Sequence, residues 1–285
     1  MVAGFVRVLR SLWGEDVRQR MVSILQHALL SLVEVPGATL ADVARLLTSA
    51  AYREEVIAQM HNEEAKAYWR LRFGQWSPSQ QREAVEPILN KLDAFLADPL
   101  IHRIIVQSRS SFDLREVMDR GRILICNLDR GALGDENSSL LGALLLVKLQ
   151  LAALSRGDLP PTGRRDFNVY VDEFERFRMG VVPEILSEAA KYGLSLTMAN
   201  QYFGQLSPEV RQAVTGNVGT VIALRLGRED AEALRGCFAP VFEPEDLQRL
   251  DNYHACVRMV AGGRVQRPFS LVTLPPPQPD PAIAA

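Results

Sequence analysis

An α/β fold, built on a mostly parallel sheet and preceded by an all-helical domain, is what this 285-residue sequence predicts. Three observations carry the expectation. Apolar residues recur at helical spacing through most of positions 1–110, and short apolar runs alternate with helical segments over 111–275. The last stretch, 276–285, is proline-bearing and has no core pattern, so it is expected to be a disordered tail.

The helical part can be followed segment by segment. From Glu15 to Val33, Val17, Met21, Ile24, Leu25, Ala28, Leu29 and Leu32 fall three or four apart and mark one buried stripe, which Pro36 and Gly37 end. Thr39 with Asp42 resembles an N-terminal cap before LADVARLLTS. Helical spacing continues through YREEVIAQM, EEAKAYWRLRF and QQREAVEPILNKLDAFL. The character then changes. GRILICNLD (121–129) is a nearly continuous apolar run, as expected of a strand buried on both faces, and a long helix is expected over Ser138–Ser155. FNVYVDEF, a helix near Val182–Tyr192, LSLTMANQ, a helix near Pro208–Thr215 and NVGTVIALRL continue the alternation, which favours right-handed parallel crossovers. HACVRMVA and PFSLVTL flank the turn GGRV as a closing hairpin.

With 47% hydrophobic and 23% charged residues, the chain has the composition of an ordinary globular protein. A net charge of -2 supplies no global attraction to a phosphate backbone, so any nucleic-acid contact needs a local basic stripe or an oligomeric pore. Cys126, Cys237 and Cys256 form no CxxC pair and have no histidine at metal spacing, so they are expected to be buried small hydrophobes in a reducing compartment. The apolar stretch Leu140–Val147 is far short of the roughly 20 residues of a membrane span, and no small-residue cleavage site follows MVAGFVRVLRSLWGED. No transmembrane segment and a cytoplasmic location are therefore expected.

The chemistry concentrates at Val169–Glu173, an apolar run ending in two carboxylates. Open parallel sheets bind ligands at the carboxyl ends of their strands. An acidic residue there can serve the magnesium of a nucleotide through water, and its neighbour can polarise an attacking water. The competing reading is an ordinary helix start or solvated turn. The next sheet run, Leu194–Ala199, ends in Asn200 and Gln201, where a polar side chain can meet a terminal phosphate; a plain loop start is the alternative. Trp69, Arg70, Arg72, Phe73 and Trp76 mix rings and guanidinium groups as single-strand binders do, and helical packing accounts for them equally well.

Taken together, VYVDEFERF, AAKYGLSLTMANQYFGQL, GNVGTVIALRLGREDAEAL and FEPEDLQRLDNYHACVRM resemble the C-terminal part of HerA/FtsK-type motor ATPases. The nearest resemblance is to the conjugative DNA-transfer coupling proteins of type IV secretion systems, the TraG/TraD class. It extends from about Trp13 to Leu274, because WGEDVRQRMVSILQHALLSLVEVPGATLADVARLLT is similar to the helical domain inserted in their ATPase core. The resemblance implies a partial RecA-like P-loop ATPase core. It implies Asp172 as the Walker B carboxylate that binds magnesium through water, Glu173 as the catalytic carboxylate and Gln201 as the phosphate-sensing glutamine. Relatives often carry an arginine where this chain has Ala190, so Lys191 or Arg225 is the candidate basic residue acting on a neighbouring subunit's nucleotide. ATP and Mg2+ are the implied cofactors. The implied partners are further copies in a hexameric ring, DNA or a protein–DNA complex, and secretion-system components.

One departure limits that implication: no GxxxxGK[ST] occurs in the chain, so no glycine-rich loop cradles the β- and γ-phosphates. In the resembled family this loop lies upstream of the helical domain. The expectation is therefore a fragment, split gene or truncated copy whose missing strands leave a sheet edge unpaired, and which does not hydrolyse ATP alone. Two rival readings stand beside the motor: a non-catalytic remnant that binds partners, and an unrelated α/β hydrolase using Asp172 and Glu173 as acid and base. No nucleophile or metal cluster supports the hydrolase.

Overall fold

The computed structural model describes residues 2–13, 19–177 and 182–276. The first part of the stripe predicted from Glu15 and most of the expected tail lie outside the described residues. The chain divides into two compact units, Met1–Thr197 and Met198–Ala285.

The first unit begins with helices α1 (Val2–Trp13), α2 (Gln19–Leu32), α3 (Ala41–Thr48), α4 (Ala50–Gln59) and α5 (Glu63–Ala67). After a π-turn at Tyr68–Arg72 come α6 (Pro78–Leu96), α7 (Pro99–Ile105), α8 (Leu114–Asp119), α9 (Arg130–Leu133) and α10 (Asp135–Ser155). Strand β1 (Phe167–Val171), helix α11 (Val182–Glu188) and strand β2 (Leu194–Met198) form a βαβ crossover with a two-stranded parallel sheet.

Local chemistry sets the helix starts. Asp42 reaches back to Thr39, accepting from its backbone N–H at 2.8 Å and its hydroxyl at 3.0 Å. Ser77 and Gln80 form a reciprocal capping box in front of α6, and Asp98 accepts two N–H bonds at the start of α7. The stripe of α2 buries Met21, Ile24, Leu25, Ala28 and Leu32, matching its sequence spacing.

Two rings of the aromatic–arginine cluster, Trp69 and Phe73, belong to this helical core, whereas Arg70 and Arg72 are exposed and Trp76 is half-buried. Trp69 and Phe73 are 1% and 0% exposed, and the Trp69 indole N–H donates to the Ser31 hydroxyl at 2.8 Å. Arg53 donates to the carbonyls of Leu46 and Leu47 while lying over the Phe73 ring. Stacking on bases needs an open ring face, and neither Trp69 nor Phe73 offers one.

Helix α10 is apolar on all sides and packs against α1 and α8, burying Leu140, Ala143, Leu146, Val147, Leu149 and Ala153. This packing puts helical segment and βαβ unit in one compact body, so division by contacts differs from the 1–110 and 111–275 partition by element type. Together with the short turn after it, α10 is long and apolar enough to cross a membrane by length and composition, a property it shares with core helices. Polar residues such as Lys148 and Gln150 break its uninterrupted apolar run, and about half of the helix is buried against the rest of the protein.

The segment 121–129 corrects a further expectation. It is extended but joins no β-ladder, and Ile123 and Ile125 are 91% and 87% exposed. Cys126 is likewise exposed rather than buried, whereas Cys256 is buried. A run of this composition needs a second covering layer to become an inner strand, and among the described residues none lies over Ile123 and Ile125.

The second unit contains α12 (Pro208–Asn217), β3 (Val221–Ala223), α13 (Arg228–Ala233), α14 (Arg235–Phe238) and α15 (Pro244–Gln248). It ends in β4 (His254–Arg258), β5 (Val260–Ala261), β6 (Arg264–Val265) and β7 (Phe269–Val272). The sheet order is β3-β4-β7, antiparallel throughout, with Ile222 opposite Val257 and Val257 opposite Phe269. The predicted closing hairpin is thus β4 with β7, and GGRV turns the small β5-β6 ribbon at its tip. Among the described residues, parallel pairing is seen in β1 and β2, and β3 pairs antiparallel with β4.

Candidate functional site

Strand β1 alternates as its sequence does: Phe167, Val169 and Val171 are half-buried, and Asn168 and Tyr170 are exposed. The register with β2 is fixed at its entry. The Phe167 N–H donates to the Gly193 carbonyl at 2.8 Å, and the Ser195 hydroxyl donates to Asn168 Oδ1 at 2.5 Å.

Arg156, wholly buried, ties that end together. Its Nη1 donates to the Tyr192 carbonyl at 2.9 Å, its Nη2 donates to the Arg165 carbonyl at 2.5 Å, and its Nε lies 3.0 Å from Asp119 Oδ1. Arg164 braces the same loops by donating to the carbonyls of Arg156, Leu159 and Lys191. Arginine's planar fork suits this use, since one guanidinium can meet several acceptors at once.

At the opposite end of β1, Asp172 is exposed and Glu173 half-buried. Glu173 adopts the left-handed conformation, φ 48° and ψ 44°, uncommon for a residue with a Cβ. Its N–H donates to Asp172 Oδ1 at 2.9 Å, and its carboxylate pairs with Arg176. Phe174, 2% exposed, anchors the following turn, and the Ser139 hydroxyl of α10 donates to the Arg176 carbonyl at 2.9 Å. The turn is therefore held by a buried ring and a helix, while its two carboxylates stay accessible. Both border a groove of about 870 Å³ whose other walls include Ile123, Ile125, Tyr170 and Leu146.

Lys191 is exposed in the turn before β2, at the entry end of the sheet and so one strand length, roughly 16 Å, from Asp172. Gln201 stands three residues beyond β2 and Arg225 two beyond β3; both belong to the second unit, and Arg225 donates to Asn252 Oδ1 at 3.1 Å. Asp172 and Glu173 are thus brought together in the first unit, with Lys191 at the far end of the same sheet.

Sequence reasoning passed over Arg176, Arg156 and Asp230. Arg176 was the most legible, being three residues from Glu173. Asp230 accepts from the backbone N–H groups of Phe203 and Gly204.

Among the described residues no group of three or more histidine, cysteine, aspartate or glutamate side chains has the geometry to hold a metal. An ion at Asp172 would draw most of its ligands from a nucleotide and water. The exposed Asp172 and the adjacent Glu173 fit the metal-and-water side of such a site. The phosphate cradle is not supplied by this sequence.

No protein-family model matches the sequence, and no curated protein matches it by sequence. Solved structures do match in fold. The bacterial conjugative coupling protein TrwBΔN70, in an unbound monoclinic form, aligns with a TM-score of 0.61 at 15% identity over 95% of this chain and 69% of that chain. The plasmid coupling protein TrwB in complex with the GTP analogue GDPNP aligns with a TM-score of 0.62 at 14% identity, covering 95% and 68%. TrwB in complex with ADP and Mg2+ gives 0.61 at 15% identity, with 95% and 68% covered. The chain therefore shares the fold of these structures, an α/β RecA-like core with a helical region.

Proposed function

We propose that this chain is the C-terminal part of an ATP-driven DNA-translocating motor of the conjugative coupling type, serving a type IV secretion system from the cytoplasm. The observation that carries the reading is the pair Asp172 and Glu173 at the carboxyl end of β1, in a fold whose solved examples include complexes with ADP and Mg2+ and with nucleotide analogues. The working form is a hexameric ring, with each nucleotide held between subunits and DNA or a protein–DNA complex passing through the centre.

Bound Mg2+–ATP supplies a phosphoryl group for transfer to water. In this reading Asp172 holds the water shell of the ion, Glu173 orients the attacking water and Gln201 meets the terminal phosphate. Lys191 or Arg225 reaches a neighbour's site. A glycine-rich loop outside this sequence completes the phosphate cradle, so the chain alone does not turn over ATP.

Calorimetry of magnesium-dependent ATP binding, with Asp172→Ala as control, tests the reading. Binding that the substitution abolishes supports it. If the wild-type chain does not bind, this polypeptide is not a nucleotide site by itself. The chain is then either one half of a nucleotide site that needs the outside loop or the second reading, a non-catalytic module that binds partners, for which the exposed Ile123 and Ile125 speak.

A further inference from the structure

Within the second unit, the loop that follows β2 is held by a residue from a distant part of the sequence. Asp230 lies on α13 and is 8% exposed, yet it carries a carboxylate. Each oxygen has its own backbone donor: Oδ2 accepts the Phe203 N–H at 3.0 Å, and Oδ1 accepts the Gly204 N–H at 3.0 Å. A carboxylate is costly to bury unless hydrogen-bonded, and a pair of oriented amides meets that need. Phe203 and Leu206, 8% and 7% exposed, seat the same turn in the core. Gln201 and Tyr202, immediately before the clamped amides, are exposed. The loop is thus pinned just after Gln201, by a side chain 26 and 27 residues further along.

We propose that Asp230 is the positioning residue for the Gln201 loop: by holding the Phe203 and Gly204 amides it fixes where the chain presents Gln201. A role for that placement in phosphate sensing rests on the functional reading above; the clamp itself does not. Asp230 also lies five residues after Arg225, on the helix that follows β3.

The test uses the full chain, 15N-labelled, with hydrogen exchange read by NMR for wild type and Asp230→Asn. The variant keeps the shape but turns an NH2 group toward one of the two amides. Expected is a loss of protection of about tenfold or more at Phe203 and Gly204, with exchange-broadened Gln201 side-chain NH2 signals. Protection at Ala255 and Val257 in β4 stays within about threefold of wild type. Equal loss at Ala255 and Val257, or unchanged Gln201 signals, would overturn the proposal, since Asp230 would then serve the core in general or nothing at all. Should Asp230→Asn not fold, wild type still decides: Phe203 and Gly204 amides exchanging as fast as an unstructured peptide refute the clamp. ATP calorimetry on the same samples is read separately. A wild-type chain that binds no ATP bears on the nucleotide reading alone and leaves the exchange result standing.

Discussion

Replacing Arg156 with methionine removes the fork that joins the end of α8, the turn before β2 and the entry to β1. Two carbonyls, of Tyr192 and Arg165, lose a donor in a site with no solvent access to the arginine. Orphaning each costs about 1–1.5 kcal/mol. The Asp119 carboxylate also loses its partner at 3.0 Å, but it is 34% exposed and retains Arg115 at 3.3 Å, so its share is small. A partner with that much exposure is worth at most about 1 kcal/mol. The sum is about 3 kcal/mol, at the lower edge of the roughly 3–5 expected when a buried ion pair is broken. For a body of this size that corresponds to a melting temperature lower by about 6–12 °C. Tryptophan fluorescence in urea is the assay, because Trp13, Trp69 and Trp76 all fall in the first unit and report its unfolding alone. Arg156→Lys, which keeps the charge but cannot span all three acceptors, is expected to lose more than half as much. A loss under about 1 kcal/mol in the methionine variant, or a lysine variant equal to wild type, would refute the keystone role.

Gly142→Ala builds a methyl group 2.4 Å from the Phe177 ring and 3.3 Å from Leu128, so overpacking of α10 should cost about 1–3 kcal/mol, read in the same urea titration. Acid lability should show a specific cause. The Arg115 hydrogen bond holds Asp158 below its ordinary value of 3.8, and the His61 backbone N–H holds Glu34 below 4.5. Depressed folded-state values mean the stabilisation is fully present above the ordinary values and lost as pH falls through the folded ones. Asp158→Asn with Glu34→Gln should therefore flatten the stability profile below about pH 4.5 and leave its shape above pH 6 unchanged, as followed by circular dichroism.

Elements with strong local patterns were legible: the stripe of α2, the length of α10, β1 running up to Asp172, and β4 pairing with β7. The apolar run 121–129 misled because composition states only that a segment prefers burial. Whether a covering layer exists is decided by other parts of the chain. Trp69 and Phe73 had two readings at the sequence level, and the hydrogen bond to Ser31, 38 residues away, settles Trp69 as core. Arg156 sits in the loop stretch RGDLPPTGRRD and Asp230 in a short helix, REDAEA, where either reads as an ordinary surface charge. The carbonyls that Arg156 meets lie 9 and 36 residues further on, and the amides that Asp230 holds lie 26 and 27 residues earlier, beyond any local pattern. The carboxylate pair was visible as Asp172-Glu173, but its backbone conformation was not, because nothing in VDEF announces a left-handed residue.

That conformation sets folding and chemistry against each other at one position. Glycine at 173 would relieve roughly 1–2 kcal/mol of left-handed strain, and asparagine part of it. Any selection that rewards thermal tolerance alone will therefore drift toward a small residue there and discard the carboxylate. A glutamate kept at such a site in a chain under ordinary stability pressure marks a place where something other than folding sets the residue.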